Sequence, residues 1–171
     1  VHSRDQGRSD AFAAKHGAKT AYTSVEDVLA DSRIEAVYIT SPNHLHAEYT
    51  TMSANAGKHV LVEKPLSVNQ TEGVAMIQVC RERGVTLGVG LHLRHHPGHI
   101  EAKRLVGDWA LGTIALAEAQ SGQGERGNVR SVSLAGWRDW WTHAEMVGEA
   151  FAMLTIGVHA IDDLQCLLIQ Q

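Results

Sequence analysis

The stretch His59-Val60-Leu61-Val62-Glu63-Lys64-Pro65 decides how this sequence is read, because apolar or nearly apolar positions run straight into an acid, a base and a proline. The run over 59–63 has the length and branched character of a buried strand. Pro65 has no N–H with which to extend a ladder, and it drives Lys64 out of the helical region. The strand therefore stops where the lysine side chain can face a cleft. Ligands of open parallel sheets sit beyond the carboxyl ends of the strands, so Glu63 and Lys64 carry more weight than their neighbours. A lysine fixed there can donate to a substrate oxygen or act in proton transfer. Read alone, the same two residues also suit an ordinary strand-end ion pair.

Outward from this strand, strand and helix patterns alternate, the arrangement of a parallel sheet with crossover helices. Residues 1–3 read as the tail of a strand and 6–16 as a helix closed by Gly17, with Ser24 capping the next helix. The segment 36–40 is an apolar strand of the kind covered on both faces, and it stops at Ser41-Pro42-Asn43. From Asn43 as cap, a helix is expected to Gly57 with Leu45, Tyr49, Met52 and Ala56 on one face. Another covers 69–83 with Val74, Ile77 and Cys80 inward, before a strand at 86–90. The fold class is thus α/β, a doubly wound parallel sheet.

After residue 90 the pattern changes to a histidine-rich turn, a short helix near 100–106, a strand at 114–120 and a glycine-rich loop at 121–127. Two domains are expected, 1–93 and a partial second one at 94–171. The final helix, about 150–168, sets Leu154, Val158, Ile161 and Leu168 along one stripe. Beside that stripe, Thr155, His159 and Asp162 or Asp163 form a polar edge at helical spacing. An imidazole there suits abstraction of a hydroxyl proton, although a helical His beside an Asp is more often structural.

The 171 residues are 44% apolar and 20% charged, enough for one sizeable core or two small ones. A net charge of −4 with scattered Lys and Arg points away from nucleic acid and anionic membranes. No apolar run reaches the roughly 18 residues of a spanning helix. The two cysteines, Cys80 and Cys166, sit in helix-period apolar patterns, which fits core thiols in a reducing, cytoplasmic setting. Among the 11 histidines, His92, His95, His96 and His99 cluster, and His95 and His99 have the spacing of two zinc ligands. Pro97 and Gly98 interrupt that turn and no third ligand is specified, so no metal is expected.

The combination of VYITSPNHLHAE at 37–48 and GKHVLVEKPLS at 57–67 resembles the glucose-fructose oxidoreductase, inositol dehydrogenase and rhizopine-catabolism (Gfo/Idh/MocA) family of NAD(P)-dependent dehydrogenases. The resemblance continues through RHHPGHIEAKRLVGDWALGTI at 94–114, GWR at 136–138 and GVHAIDDLQCLL at 157–168. It implies a Rossmann domain followed by an α/β domain with an open, mainly antiparallel sheet that carries the substrate site and an oligomer interface. It implies that Lys64 touches substrate and nicotinamide ribose and that His159 is the proton acceptor. Ser41, Pro42, Asn43, His46 and Glu63 then lie with Lys64 against the cofactor, while Arg94, Trp137, Arg138 and Asp162 are substrate contacts. The expected substrate is a sugar, cyclitol or related polyol, and the expected assembly a homo-oligomer through the C-terminal sheet.

Two departures stand out. The family often carries an acid four positions before the histidine, where this chain has Thr155; a hydroxyl holds a sugar oxygen but cannot share a proton as a carboxylate does. The G-x-G-x-x-G turn that meets a dinucleotide's diphosphate occurs nowhere in the 171 residues, and GVGLHL at 88–93 is a tight strand-end turn. The chain therefore reads as an internal segment of a dehydrogenase. Ser3 and Arg4 close what would be the second strand, where an Arg favours the phosphate of NADP and an acid would hold the ribose diol of NAD. NAD or NADP is the expected cofactor, with NADP preferred. The alternative is a non-catalytic or truncated remnant that binds sugars or a partner protein.

Overall fold

The computed structural model describes residues 1–119, 143–148 and 153–169. At its centre β1 (Ala36–Ile39), β2 (His59–Glu63) and β3 (Leu87–Gly90) form a parallel sheet in that order. Pairing sets Val37 beside Val60 and Leu87, and Ile39 beside Val62 and Val89. Because successive side chains alternate between faces, all six branched residues share one side. The crossover helices α3 (His46–Asn55) and α4 (Gln70–Glu82) cover it. The resulting core is Ile39, Val60, Val62 and Met76, and burying each of these contributes about 1.5–3 kcal/mol.

The other face differs from the expectation of a strand covered on both sides. Tyr38 is 56% and Leu61 43% exposed, and Leu61 stands between Tyr38 and Gly88 in the register. Both crossovers lie on the same side, so among the described residues the Tyr38 face has no apolar cover.

Local signals set the helix ends. Helix α1 (Gln6–His16) starts where an Asp5 carboxylate oxygen accepts the Arg8 N–H at 2.7 Å, and ends at Gly17 with φ +70°. Helix α2 (Val25–Ala30) starts where Ser24 Oγ accepts the Asp27 N–H at 3.1 Å. The strand tail at 1–3 makes a parallel bridge, His2 to Tyr22.

The buried helix faces are offset from those read in the sequence. A 3-10 turn at Asn43–Leu45 precedes α3, Asn43 makes no side-chain cap, and the buried positions of α3 are His46, Thr50, Ser53 and Ala54. On α4, Gly73, Met76 and Cys80 face inward while Val74 is 55% and Ile77 45% exposed. Gly73 is required there, since a Cβ would lie 2.9 Å from Ser67 Oγ.

A 3-10 turn at His92–His95 leads into α5 (Pro97–Gly107), which Pro97 starts in the N-terminal position its ring tolerates. No strand forms over 114–119; a strand needs a ladder partner, and none lies beside it among the described residues. A short helix, α6 (Ala144–Val147), packs near Asn43–Leu45. The last helix divides into a π-helical turn at Met153–Gly157 and α7 (Val158–Leu168). Ile161 is 45% and Leu168 42% exposed, and the buried residue of α7 is Asp162. No helix of the described residues is long and apolar enough to cross a membrane.

Candidate active site

The ends of β1 and β2 reach one rim of the sheet, and a histidine ties them together. The fully buried His46 ring has Nδ1 2.8 Å from the Pro65 carbonyl and Nε2 3.0 Å from the Ser41 carbonyl. One side chain thus holds the Ser41-Pro42-Asn43 loop against the Glu63-Lys64-Pro65 loop, whose Lys64–Pro65 peptide is cis. His46 supports the rim from within, its ring nitrogens committed to main-chain carbonyls. Asn43 is also buried, whereas Ser41, Pro42, Glu63 and Lys64 are half-buried.

Glu63 stands on the open face of the sheet with Tyr38, one position of alternation from Val62 of the core. The Tyr38 hydroxyl donates to Glu63 Oε1, and this bond to a carboxylate raises the phenol's pKa above its ordinary value. The Lys64 N–H donates to Glu63 Oε2 at 3.2 Å. Opposite Glu63 in the register is Gly90, where an added Cβ would lie 3.3 Å from the carboxyl group. Glu63 is therefore oriented from three sides, and Lys64 continues past it as the strand ends.

The first turn of α7 brings His159 to the same place. Burial depresses the His159 pKa first, the nearby Lys64 ammonium depresses it further, and His92 adds to the effect against the opposing charges of Asp163 and Asp162. Lys64 and His159, distant along the chain, thus share one electrostatic environment. A half-buried imidazole held neutral beside an ammonium suits a proton acceptor. The His92 and His159 rings meet edge-on, with centroids 5.0 Å apart.

An ion pair and a histidine–carboxylate contact hold α7 in position. Arg94 Nε lies 3.0 and 2.9 Å from the two oxygens of Asp162, and Arg94 Nη2 lies 2.5 Å from Oδ1. His99 Nδ1 is 2.9 Å from Asp163 Oδ1. Arg94 and Asp162, both expected to touch substrate, are joined to each other. Thr155 lies in the π-helical turn. Trp137 and Arg138 lie outside the described residues.

A second part of the rim is a cavity of about 670 Å³ between the 1–3 segment and β1, lined by Ser3, Arg4, Arg8, Tyr38, Ser41 and Pro42 among others. Arg8, in the first turn of α1, lines the same space as Arg4, and Asp5 also lines it. Arg8, Tyr38 and His92 are site residues that the sequence reading missed. Strict strand alternation puts Tyr38 on the face of Glu63, a signal present in the sequence; the approach of His92 to His159 has no local signature.

The histidine cluster is dispersed. His96 caps α5 by accepting the Gly98 N–H at 3.2 Å, His99 faces Asp163, and no group of three metal-ligating side chains occurs among the described residues. Cys80 is buried, which pushes its thiol pKa up, and neither cysteine is in a disulfide.

Comparison with known proteins agrees with this fold. The family model described as "Oxidoreductase family, NAD-binding Rossmann fold" matches residues 1–91. A D-xylose 1-dehydrogenase (NADP(+)) of Haloferax volcanii is 43% identical over 106 residues, 62% of this chain and 33% of that protein. A 1,5-anhydro-D-fructose reductase of Ensifer adhaerens is 34% identical over 161 residues, 94% of this chain and 46% of that protein. The chain thus spans less than half the length of these relatives. Levoglucosan dehydrogenase in complex with NADH and levoglucosan superposes with a TM-score of 0.86 at 26% identity, covering 98% of this chain and 43% of that one. With a parallel Rossmann-like sheet, its Glu-Lys-Pro rim and a family match over more than half its length, the chain belongs to the Gfo/Idh/MocA family of oxidoreductases.

Proposed function

We propose that the protein carrying this chain oxidises a secondary hydroxyl of a sugar, cyclitol or related polyol, with NADP preferred to NAD as hydride acceptor. The observation that carries this reading is that the Lys64 ammonium, beyond the carboxyl end of β2, bears on the half-buried His159 imidazole and helps lower its pKa. The sugar chemistry is supported by the printed activities of the relatives. The NADP preference is supported by Arg4 and Arg8 at one cavity, since two guanidiniums suit a dianionic phosphate better than a ribose diol.

The residues present fit part of a dinucleotide. The Arg4 and Arg8 cavity would take the adenosine end, and Pro42, Glu63 and Lys64 would lie along the nicotinamide end; the glycine turn for the diphosphate is not in these 171 residues. A bound nicotinamide supplies the hydride acceptor. His159 takes the hydroxyl proton, and Lys64 donates to the same oxygen as negative charge develops on it. Glu63, fixed by Tyr38 and facing Gly90, sets where the lysine leaves the strand. Arg94 and Asp162 act by holding α7 so that His159 keeps its place.

The same reading divides the chain near residue 93, supported by the end of β3 at Gly90 and the new turn at His92. It assigns self-association to the sheet of the second domain, and the free cysteines support a reducing, cytoplasmic location.

The test is reduction of NADP+ and NAD+ by the full-length protein with a polyol panel, in wild type, Lys64→Ala and His159→Ala. Turnover that falls about 10²- to 10⁴-fold in each variant is expected. No turnover with any polyol favours instead the non-catalytic binding module, the reading that Thr155 supports, and variants as fast as wild type remove Lys64 and His159 from the mechanism.

A further inference from the structure

The dehydrogenase reading leaves a proton on His159, and that proton must leave the half-buried ring before the next turnover. We propose that His92 is its exit, accepting the proton from His159 and releasing it to solvent. The rings touch edge-on, with centroids 5.0 Å apart and planes at 72°, close enough for a small ring rotation or one water to join their nitrogens. His92 lies on the exposed side of the contact and His159 on the covered side. Neutral imidazole both accepts and donates, as a relay requires.

The other polar groups that bear on His159 are committed elsewhere, lack capacity or are shielded from water. Lys64, from the end of β2, is an ammonium with no lone pair to accept a proton. Asp162 gives both oxygens to Arg94, and the Asp163 side chain, 16% exposed and 2.9 Å from His99 Nδ1, has less access to water than the exposed His92. Among the described residues that bear on the ring, His92 is the acceptor that is itself exposed to solvent.

The inference rests on the proposed oxidation, and its steps balance. The substrate O–H bond breaks and its proton joins His159 while the carbon–hydrogen bond pair leaves as hydride to the nicotinamide, leaving a carbonyl. The new N–H bond of His159 then breaks as one forms on His92, and His92 gives that proton to water. Each turnover releases one proton.

Two measurements test it. The first is proton NMR titration of the histidine ring signals in cofactor-free full-length protein, comparing wild type with His92→Gln. Coupled titration of the pair is expected in wild type, and an upward shift of the His159 midpoint in the variant, because a like charge has been removed. A His159 titration indifferent to the substitution overturns the proposal. The second is turnover of His92→Gln, expected to fall roughly 10- to 100-fold in kcat with little change in KM, and to recover when imidazole is added to the buffer. An undiminished kcat, or a loss that imidazole leaves untouched, also overturns it. His159→Gln separates the two readings: if that variant still turns over, the oxidation mechanism itself is wrong, whereas an inactive His159→Gln beside a fully active His92→Gln removes only the relay.

Discussion

Arg94 holds Asp162 bidentately, Nε and Nη2 reaching carboxylate oxygens at 2.5 to 3.0 Å, and so fixes α7 to the turn that follows β3. The side chain of Asp162 is 6% exposed and that of Arg94 46%, so the pair is strongly asymmetric. Removing the arginine strands a buried carboxylate, whereas removing the aspartate leaves a guanidinium that water can reach.

The expected outcome is that Arg94→Met destabilises the protein by about 2–4 kcal/mol and Asp162→Ala by about 1–2 kcal/mol, with a double mutant less costly than the sum. Denaturant unfolding of the single and double variants checks this. Both single variants should also lose kcat, because α7 carries His159.

Burial, Lys64 and His92 all push the His159 pKa below its ordinary value. The unfolded chain therefore takes up a proton at this site before the folded protein does as pH falls. Stability at this residue is unaffected above the ordinary histidine pKa of about 6.5, declines as pH drops through it, and levels off below the lower folded value. Lys64→Met should raise the folded pKa and narrow that window, observable by NMR titration of His159 in wild type and variant.

His46→Ala should lower stability by about 3 kcal/mol, since it leaves a cavity at a fully buried side chain and removes the ring that lies against the Ser41 and Pro65 carbonyls. Thermal or denaturant unfolding measures the loss. Partial separation of the two rim loops should follow, with a raised KM for cofactor.

Arg4→Ala and Arg8→Ala should each weaken NADP+ binding about tenfold while leaving NAD+ nearly unchanged, the loss expected when one charge-assisted phosphate contact is removed. Quenching of intrinsic fluorescence by the two cofactors reads the ratio. Equal loss for both cofactors would assign the arginines to some other part of the dinucleotide.

The sequence by itself determined what depends on neighbours within a turn or two. Ser24 caps a helix because its oxygen reaches the Asp27 N–H, and Gly17 ends one because its φ of +70° costs glycine nothing. Pro65 ends β2 for an equally local reason, and the branched runs at Val37, Val60 and Val62 name the strands. Tertiary structure decided which surfaces meet. Helical periodicity nominates an apolar face, but Val74 and Ile77 lost that competition to Gly73 and Met76, because the close approach at Ser67 admits no side chain at residue 73. The covered-strand expectation failed at Tyr38 because covering a sheet face depends on where other elements pack. The pairing of Arg94 with Asp162 and the contact of His92 with His159 follow from α7 docking on the turn after β3, a placement set by packing that no spacing in the chain encodes.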